Sequence, residues 1–162
     1  RKLSHFPKYY GTTYIFSHKA YLQERVGKDM SNYLNAYCNS FGYINTLQLG
    51  LQMLDSLQQL HSIGFIHQDL KPPNICIGNF EGSDTSKVYL IDMGLATQYT
   101  KKKILRKPVT KEEHIKEGDA PQHGNIAFGS LNSLSGKQLS RRDDIISLAY
   151  LLLYCLTREI PH

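Results

Sequence analysis

Asp69, Lys71 and Asn74 place a carboxylate, an ammonium and a carboxamide in one short segment, FIHQDLKPPNICIG, running from Phe65 to Gly78. Moving a phosphoryl group asks for little covalent chemistry from a protein. It needs a carboxylate to orient the attacking hydroxyl and take its proton, a cation beside the moving phosphate, and hard oxygen ligands for Mg²⁺. Asp69, Lys71 and Asn74 match those needs in that order. A second carboxylate, Asp92, closes the apolar run KVYLIDMG from Lys87 to Gly94. With Asn74 it would supply the oxygen atoms of a Mg²⁺ site beside phosphates.

Such a site needs rigid supports. Phe65 and Ile66 read as one short buried strand and Ile75, Cys76 and Ile77 as another, so the polar residues lie on a connection anchored at both ends and stiffened by Pro72 and Pro73. Strand alternation puts Cys76 on the same face as Asn74. The turn formers of Asn79 to Ser86 predict a hairpin to the next strand. Upstream, Phe6 to Tyr14 and Lys19 to Glu24 read as two strands with a turn near Ser17 and His18. Met30 to Phe41 reads as a short helix. Asn45 to Ser62 reads as a long one ended by Gly64, with Leu47, Leu51, Leu54, Leu57 and His61 as its core stripe. Leu95 to Gln122 has no clear period. After Asp144, IISLAYLLLYCL is apolar almost all round and predicts a helix buried on every side.

The pattern H-x-D-x-K-x-x-N from His67 to Asn74, followed by Asp92-Met93-Gly94, resembles the catalytic loop and the metal-binding D-F-G of serine/threonine protein kinases. Ser130-Leu131-Asn132 and Ser140-Arg141-Arg142-Asp143-Asp144 narrow the resemblance to the casein kinase 1 group, and Gly124 to Phe128, GNIAF, looks closer to the related vaccinia-related kinases. The resemblance spans nearly the whole chain. It implies an α+β, protein-kinase-like fold, with residues 1–26 as the last N-lobe strands and hinge and residues 27–162 as an incomplete, largely helical C-lobe.

The resemblance further implies ATP and Mg²⁺ as cofactors, Asp69 as the base, and Asn74 and Asp92 as metal ligands. Backbone groups of Glu24 and Val26 would pair with the adenine edge, Gln23 would control access behind it, and Cys76 and Ile91 would floor its pocket. Asp144 would reach the backbone N–H groups near His67 and Gln68. Three positions depart from the pattern: Gln68 replaces the Arg that answers to a loop phosphate, Met93 replaces Phe, and Ala127 stands where casein kinase 1 proper has an Arg. No Gly-rich loop, strand Lys or partner Glu precedes the hinge. The expectation is a partial sequence of a longer kinase, inactive by itself, with a pseudokinase or binding scaffold as the alternative.

The remaining features set bounds. A chain of 162 residues, 41% hydrophobic and 20% charged, suits one soluble globular unit. Cys38, Cys76 and Cys155 are isolated, which argues against a disulfide framework or zinc site and for a reducing compartment, cytoplasm or nucleus. The longest apolar run is too short for a membrane helix, which takes about 20 residues. His5, His18, His61, His114, His123 and His162 lack metal-ligand spacing and read as surface or packing residues. A net charge of +5 favours acidic or phosphorylated protein partners, although much of it sits in KKKILRK, Lys101 to Lys107, and no nucleic-acid signal accompanies it. The chain opens at Arg1 without Met, so a targeting segment is unobservable, and nothing indicates an oligomeric state.

Overall fold

The computed structural model describes residues 3–36, 41–79, 81, 86–100, 115, 118–120 and 124–160. In order, the elements are β1 (Tyr9–Ile15), β2 (His18–Gln23), α1 (Met30–Ala36), α2 (Tyr43–Ser62), β3 (Phe65–Ile66), β4 (Ile75–Ile77), β5 (Val88–Leu90), β6 (Thr97–Gln98), α3 (Leu131–Leu134) and α4 (Arg141–Thr157). The strands form three antiparallel pairs, β1–β2, β3–β6 and β4–β5. This is the α+β architecture that the sequence predicts.

β1 begins at Tyr9 rather than Phe6, and its turn falls on Phe16 and Ser17, one residue earlier than expected. Both turn residues have positive φ, 46° and 68°, the combination whose twist suits a two-residue hairpin. α1 is described over Met30–Ala36, and residues 37–40 of the expected helix lie outside the described residues. It starts beside Asp29, whose carboxylate takes the backbone N–H of Asn32 at 3.2 Å as an N-terminal cap. β6 lies in the stretch read as irregular, where two residues suffice to pair with β3.

The core gathers Leu49, Met53 and Leu57 of α2, Ile75 and Ile77 of β4, Leu90 of β5, and Leu148 and Leu151 of α4. Each such side chain, fully buried, contributes about 1.5–3 kcal/mol. Two expectations are corrected here. The inward face of α2 is Leu49, Met53, Leu57 and Leu60, whereas Leu47, Leu51 and Leu54 are 49%, 69% and 45% exposed. α2 carries apolar residues on two faces, and the one that turns in is the one that meets β5 and α4. Gly50 permits that approach: a Cβ there would lie 3.0 Å from a methyl of Leu152. α4, likewise, is not buried on every side, since Ile145 and Leu153 are 42% and 47% exposed.

β4 and β5 form the expected hairpin, with Ile75 opposite Leu90 and Ile77 opposite Val88. Ile75 and Ile77 enter the core and Cys76 takes the other face. Cys38, His114, His123, His162 and the basic run Lys101 to Lys107 lie outside the described residues. Among the described residues no helix is long and apolar enough to cross a membrane.

Candidate active site

The connection between β3 and β4 is short and held at several points. Leu70 is buried, and Pro72 to Asn74 form one 3₁₀ turn in which the N–H of Asn74 donates to the carbonyl of Lys71 at 3.0 Å. That turn brings the three candidate catalytic residues into direct contact. Lys71 Nζ meets Asp69 Oδ2 at 2.6 Å, and Asn74 Nδ2 donates to the same Oδ2 at 3.1 Å and to the Asp69 carbonyl at 2.9 Å. Asp69 and Asn74 are buried and Lys71 is half-buried. One carboxylate oxygen of Asp69 is thus fixed by two donors, which orients the other for a further proton donor.

The second carboxylate is placed through the backbone. The N–H of Ile91 donates to the carbonyl of Asn74 at 2.9 Å, so Asp92 follows directly after the residue that touches Asn74. Asp92 is exposed and sits at φ 62°, a left-handed conformation that costs a non-glycine residue about 1–2 kcal/mol. Its Oδ1 accepts the N–H of Gly94 at 3.1 Å as the cap of a turn over Met93–Leu95. The donor set suits Mg²⁺: the Asn74 amide nitrogen is committed to Asp69, so its Oδ1 is not needed for those bonds, and the Asp92 bond to Gly94 uses only Oδ1. Both are hard oxygen ligands of the kind Mg²⁺ takes, together with water and phosphate.

Beneath the loop lies a buried polar scaffold. Asp144, in the first turn of α4, accepts the backbone N–H groups of His67 and Gln68, each at 2.9 Å, and contacts His61 Nε2 at 2.8 Å. The two backbone contacts match expectation. His61 does more than pack, because its ring fills the third bond of a buried carboxylate. His67 is fully buried. Its Nδ1 accepts the N–H of Asp69 at 3.2 Å, which leaves Nε2 as the N–H donor to the carbonyl of Ile91 at 3.1 Å. Both nitrogens are therefore satisfied only in the neutral ring, and burial holds its pKa below the ordinary 6.5.

Gln68 also has positive φ, 70°. Gly124 abuts its carbonyl: a Cβ on Gly124 would lie 2.2 Å from the Gln68 oxygen, and φ there is 90°.

A second buried carboxylate went unnoticed as a functional element. Asp143 Oδ1 accepts Ser130 Oγ at 2.7 Å and Asn132 Nδ2 at 2.9 Å, while Oδ2 accepts the N–H of Ser140 at 2.8 Å. The runs S-L-N and S-R-R-D-D, read as separate marks in the sequence, are thus bonded to one another. Their joint presence was the available signal.

The candidate nucleotide residues occupy a different edge. Cys76 is buried opposite Tyr89, and burial pushes its thiol up to about 11. Ile91, half-buried, joins Asn74 to Asp92. Residues 26–29 run antiparallel along β4, with Val26 bridging to Asn79 and Asp29 to Cys76. Glu24 lies farther along that segment, and its side chain accepts the N–H of Lys8 at 2.9 Å. A separate cleft of about 640 Å³, lined by Leu51, His61, Tyr99 and Arg141, includes none of the candidate residues.

Residues 8–162, which include this whole constellation, match the family described as protein kinase domain. The chain belongs to that family. This kinase domain is 32% identical over 141 residues to a probable serine/threonine-protein kinase of Dictyostelium discoideum, covering 86% of this chain and 27% of that protein. It is 33% identical over 115 residues to a casein kinase 1-like protein of Oryza sativa subsp. japonica, covering 70% and 15%. Against casein kinase I homolog 2 of Saccharomyces cerevisiae the identity is 28% over 144 residues, covering 89% and 25%. The chain therefore spans about a quarter or less of the length of these relatives.

Proposed function

We propose that this kinase domain belongs to a serine/threonine protein kinase of the casein kinase 1 group, which transfers a phosphoryl group from ATP to a protein hydroxyl. In this reading residues 1–26 are the last N-lobe strands and hinge, and residues 27–162 are C-lobe. Asp69 orients the substrate hydroxyl and takes its proton through the carboxylate oxygen that Lys71 and Asn74 leave open. Lys71, a half-buried cation beside that carboxylate, also faces the phosphate. Asn74 and Asp92 hold Mg²⁺ through side-chain oxygens, and backbone groups of Glu24 and Val26 with the side chains of Cys76 and Ile91 receive the adenine. Bound Mg²⁺ and ATP supply the phosphoryl group and the neutralisation of its charge. Acidic or phosphorylated proteins suit the net charge of +5.

The observation that carries this reading is the double use of Asn74. Its amide fixes Asp69 and its carbonyl takes the N–H of Ile91, so base and metal ligands share one frame. Activity of the full-length parent on casein tests it. Asp69→Asn is expected to lower turnover by about 10²-fold or more, with the melting temperature little changed. Near wild-type turnover in that variant sinks the assignment, and a wild type that binds nucleotide but transfers nothing makes the parent a binding scaffold.

A further inference from the structure

Gln68 immediately precedes the candidate base and is held in a left-handed backbone conformation that a glutamine does not adopt unaided. Two of its restraints are backbone contacts: its N–H donates to Asp144 Oδ1, and its carbonyl lies against Gly124. The third is a side-chain bond. Gln68 Nε2 donates to Thr97 Oγ1 at 2.6 Å, across 29 residues of sequence. Thr97 is also the residue that faces Ile66 in the β3–β6 pair, and it follows Asp92 by one short turn. The bond therefore lengthens a minimal two-residue ladder by one rung, from the strand after the metal loop to the residue before the base.

We propose that the Gln68–Thr97 hydrogen bond is a neutral latch that fixes Asp69 relative to Asp92, making Gln68 and Thr97 positioning residues for phosphoryl transfer. The inference rests on the kinase reading above. An arginine at position 68 would hold a phosphate through paired charge-assisted bonds. A glutamine offers no charge, and here its amide is already committed to a hydroxyl supplied by the chain itself. The latch needs no modification to close. Its loss leaves only the Asp144 and Gly124 contacts to hold the strained Gln68 backbone, and any rotation this permits moves the Asp69 carboxylate away from the position that transfer requires.

Thr97→Val removes the acceptor while keeping side-chain shape and strand preference, and Gln68→Met removes the donor at similar length. Both sites lie at the surface, so melting temperature should shift little. In the full-length parent, with casein and Mg²⁺-ATP, each variant is expected to lower kcat by about threefold to tenfold, the worth of one net hydrogen bond, with KM for ATP unchanged. Thr97→Ser, which keeps the hydroxyl, restores kcat, and the double variant is no worse than either single one. Phosphatase treatment of the wild type leaves kcat in place. Hydrogen exchange at residues 67–69 should quicken in Thr97→Val and not in Thr97→Ser. Unchanged kcat and exchange in Thr97→Val, or additive losses in the double variant, overturn the latch. A parent without phosphotransfer overturns the kinase reading instead, and the exchange comparison then decides the latch alone.

Discussion

The ground under the candidate catalytic loop and the outer surface of the same domain reverse the usual division of residue types. Asp69, Asn74, His67, Asp143 and Asp144 are buried, while Phe16, Tyr14, Leu51 and Leu153 are exposed. Burial of a carboxylate is tolerable only when its oxygens are fully bonded. Asp144 has three donors and Asp143 four, so neither is stranded. The exposed apolar residues have no such local reason. They lie in β1 and the turn after it, in α2 and in α4, where the described residues leave them uncovered. The interior is thus organised by directional bonds around the candidate site.

The largest effect should come from breaking the interior. Asp144→Ala would orphan two buried N–H groups and the His61 ring at once, and a loss of about 3–5 kcal/mol is expected, together with lower turnover because His67 and Gln68 position Asp69. Urea unfolding measures the first and a casein assay the second. A stability change below about 1 kcal/mol would mean that the carboxylate is not bonded as described.

A pair on α2 sharpens the contrast between the two surfaces of one helix. Leu57→Ala should destabilise by about 2–5 kcal/mol as a core truncation. Leu51→Ala, on the exposed face, should stay within about 0.5 kcal/mol. Equal costs at the two positions would contradict the orientation of α2.

The smallest effect concerns pH. His67 is held neutral in the folded protein, with its pKa below the ordinary 6.5. Below 6.5 the unfolded chain binds a proton at this ring that the folded protein refuses, so stability should fall as pH drops from 6.5 towards the lowered folded value, and be fully present above 6.5. His67→Asn removes the titrating group. Its urea midpoint should vary less than wild type between pH 7 and pH 5.5, and parallel profiles for the two proteins would rule out His67 as the source.

The sequence made the loop and its neighbours readable because their constraints are local. Two apolar strand signals, two prolines and fixed spacing confine Asp69, Lys71 and Asn74 to one connection, and the reach of Asp144 to His67 and Gln68 came from the family pattern. The inward face of α2 was not readable in the same way. Leu49, Met53, Leu57 and Leu60 repeat at helical spacing, but so do Leu47, Leu51 and Leu54, and a helix apolar on two sides does not say which side meets α4. For α4, hydrophobicity all round does not mean burial all round, since Ile145 and Leu153 stay exposed. The bonds of Asp143 to Ser130 and of Gln68 to Thr97 join positions 13 and 29 residues apart, and no periodicity encodes such pairs.

Asp143 and Asp144 are consecutive residues that hold different parts of the domain, one gripping residues 130–132 and the other residues 61–68. Neighbours on a helix point about 100° apart, so the start of α4 acts as a vice whose two jaws are set by helical phase. Substitutions at the exposed Arg141 and Arg142 leave that phase alone. A single inserted residue between the two acids would swing one jaw by about 100° and raise it by about 1.5 Å, releasing either the catalytic loop or the segment packed beside it. The length of this turn is therefore under tighter constraint than most of its side chains.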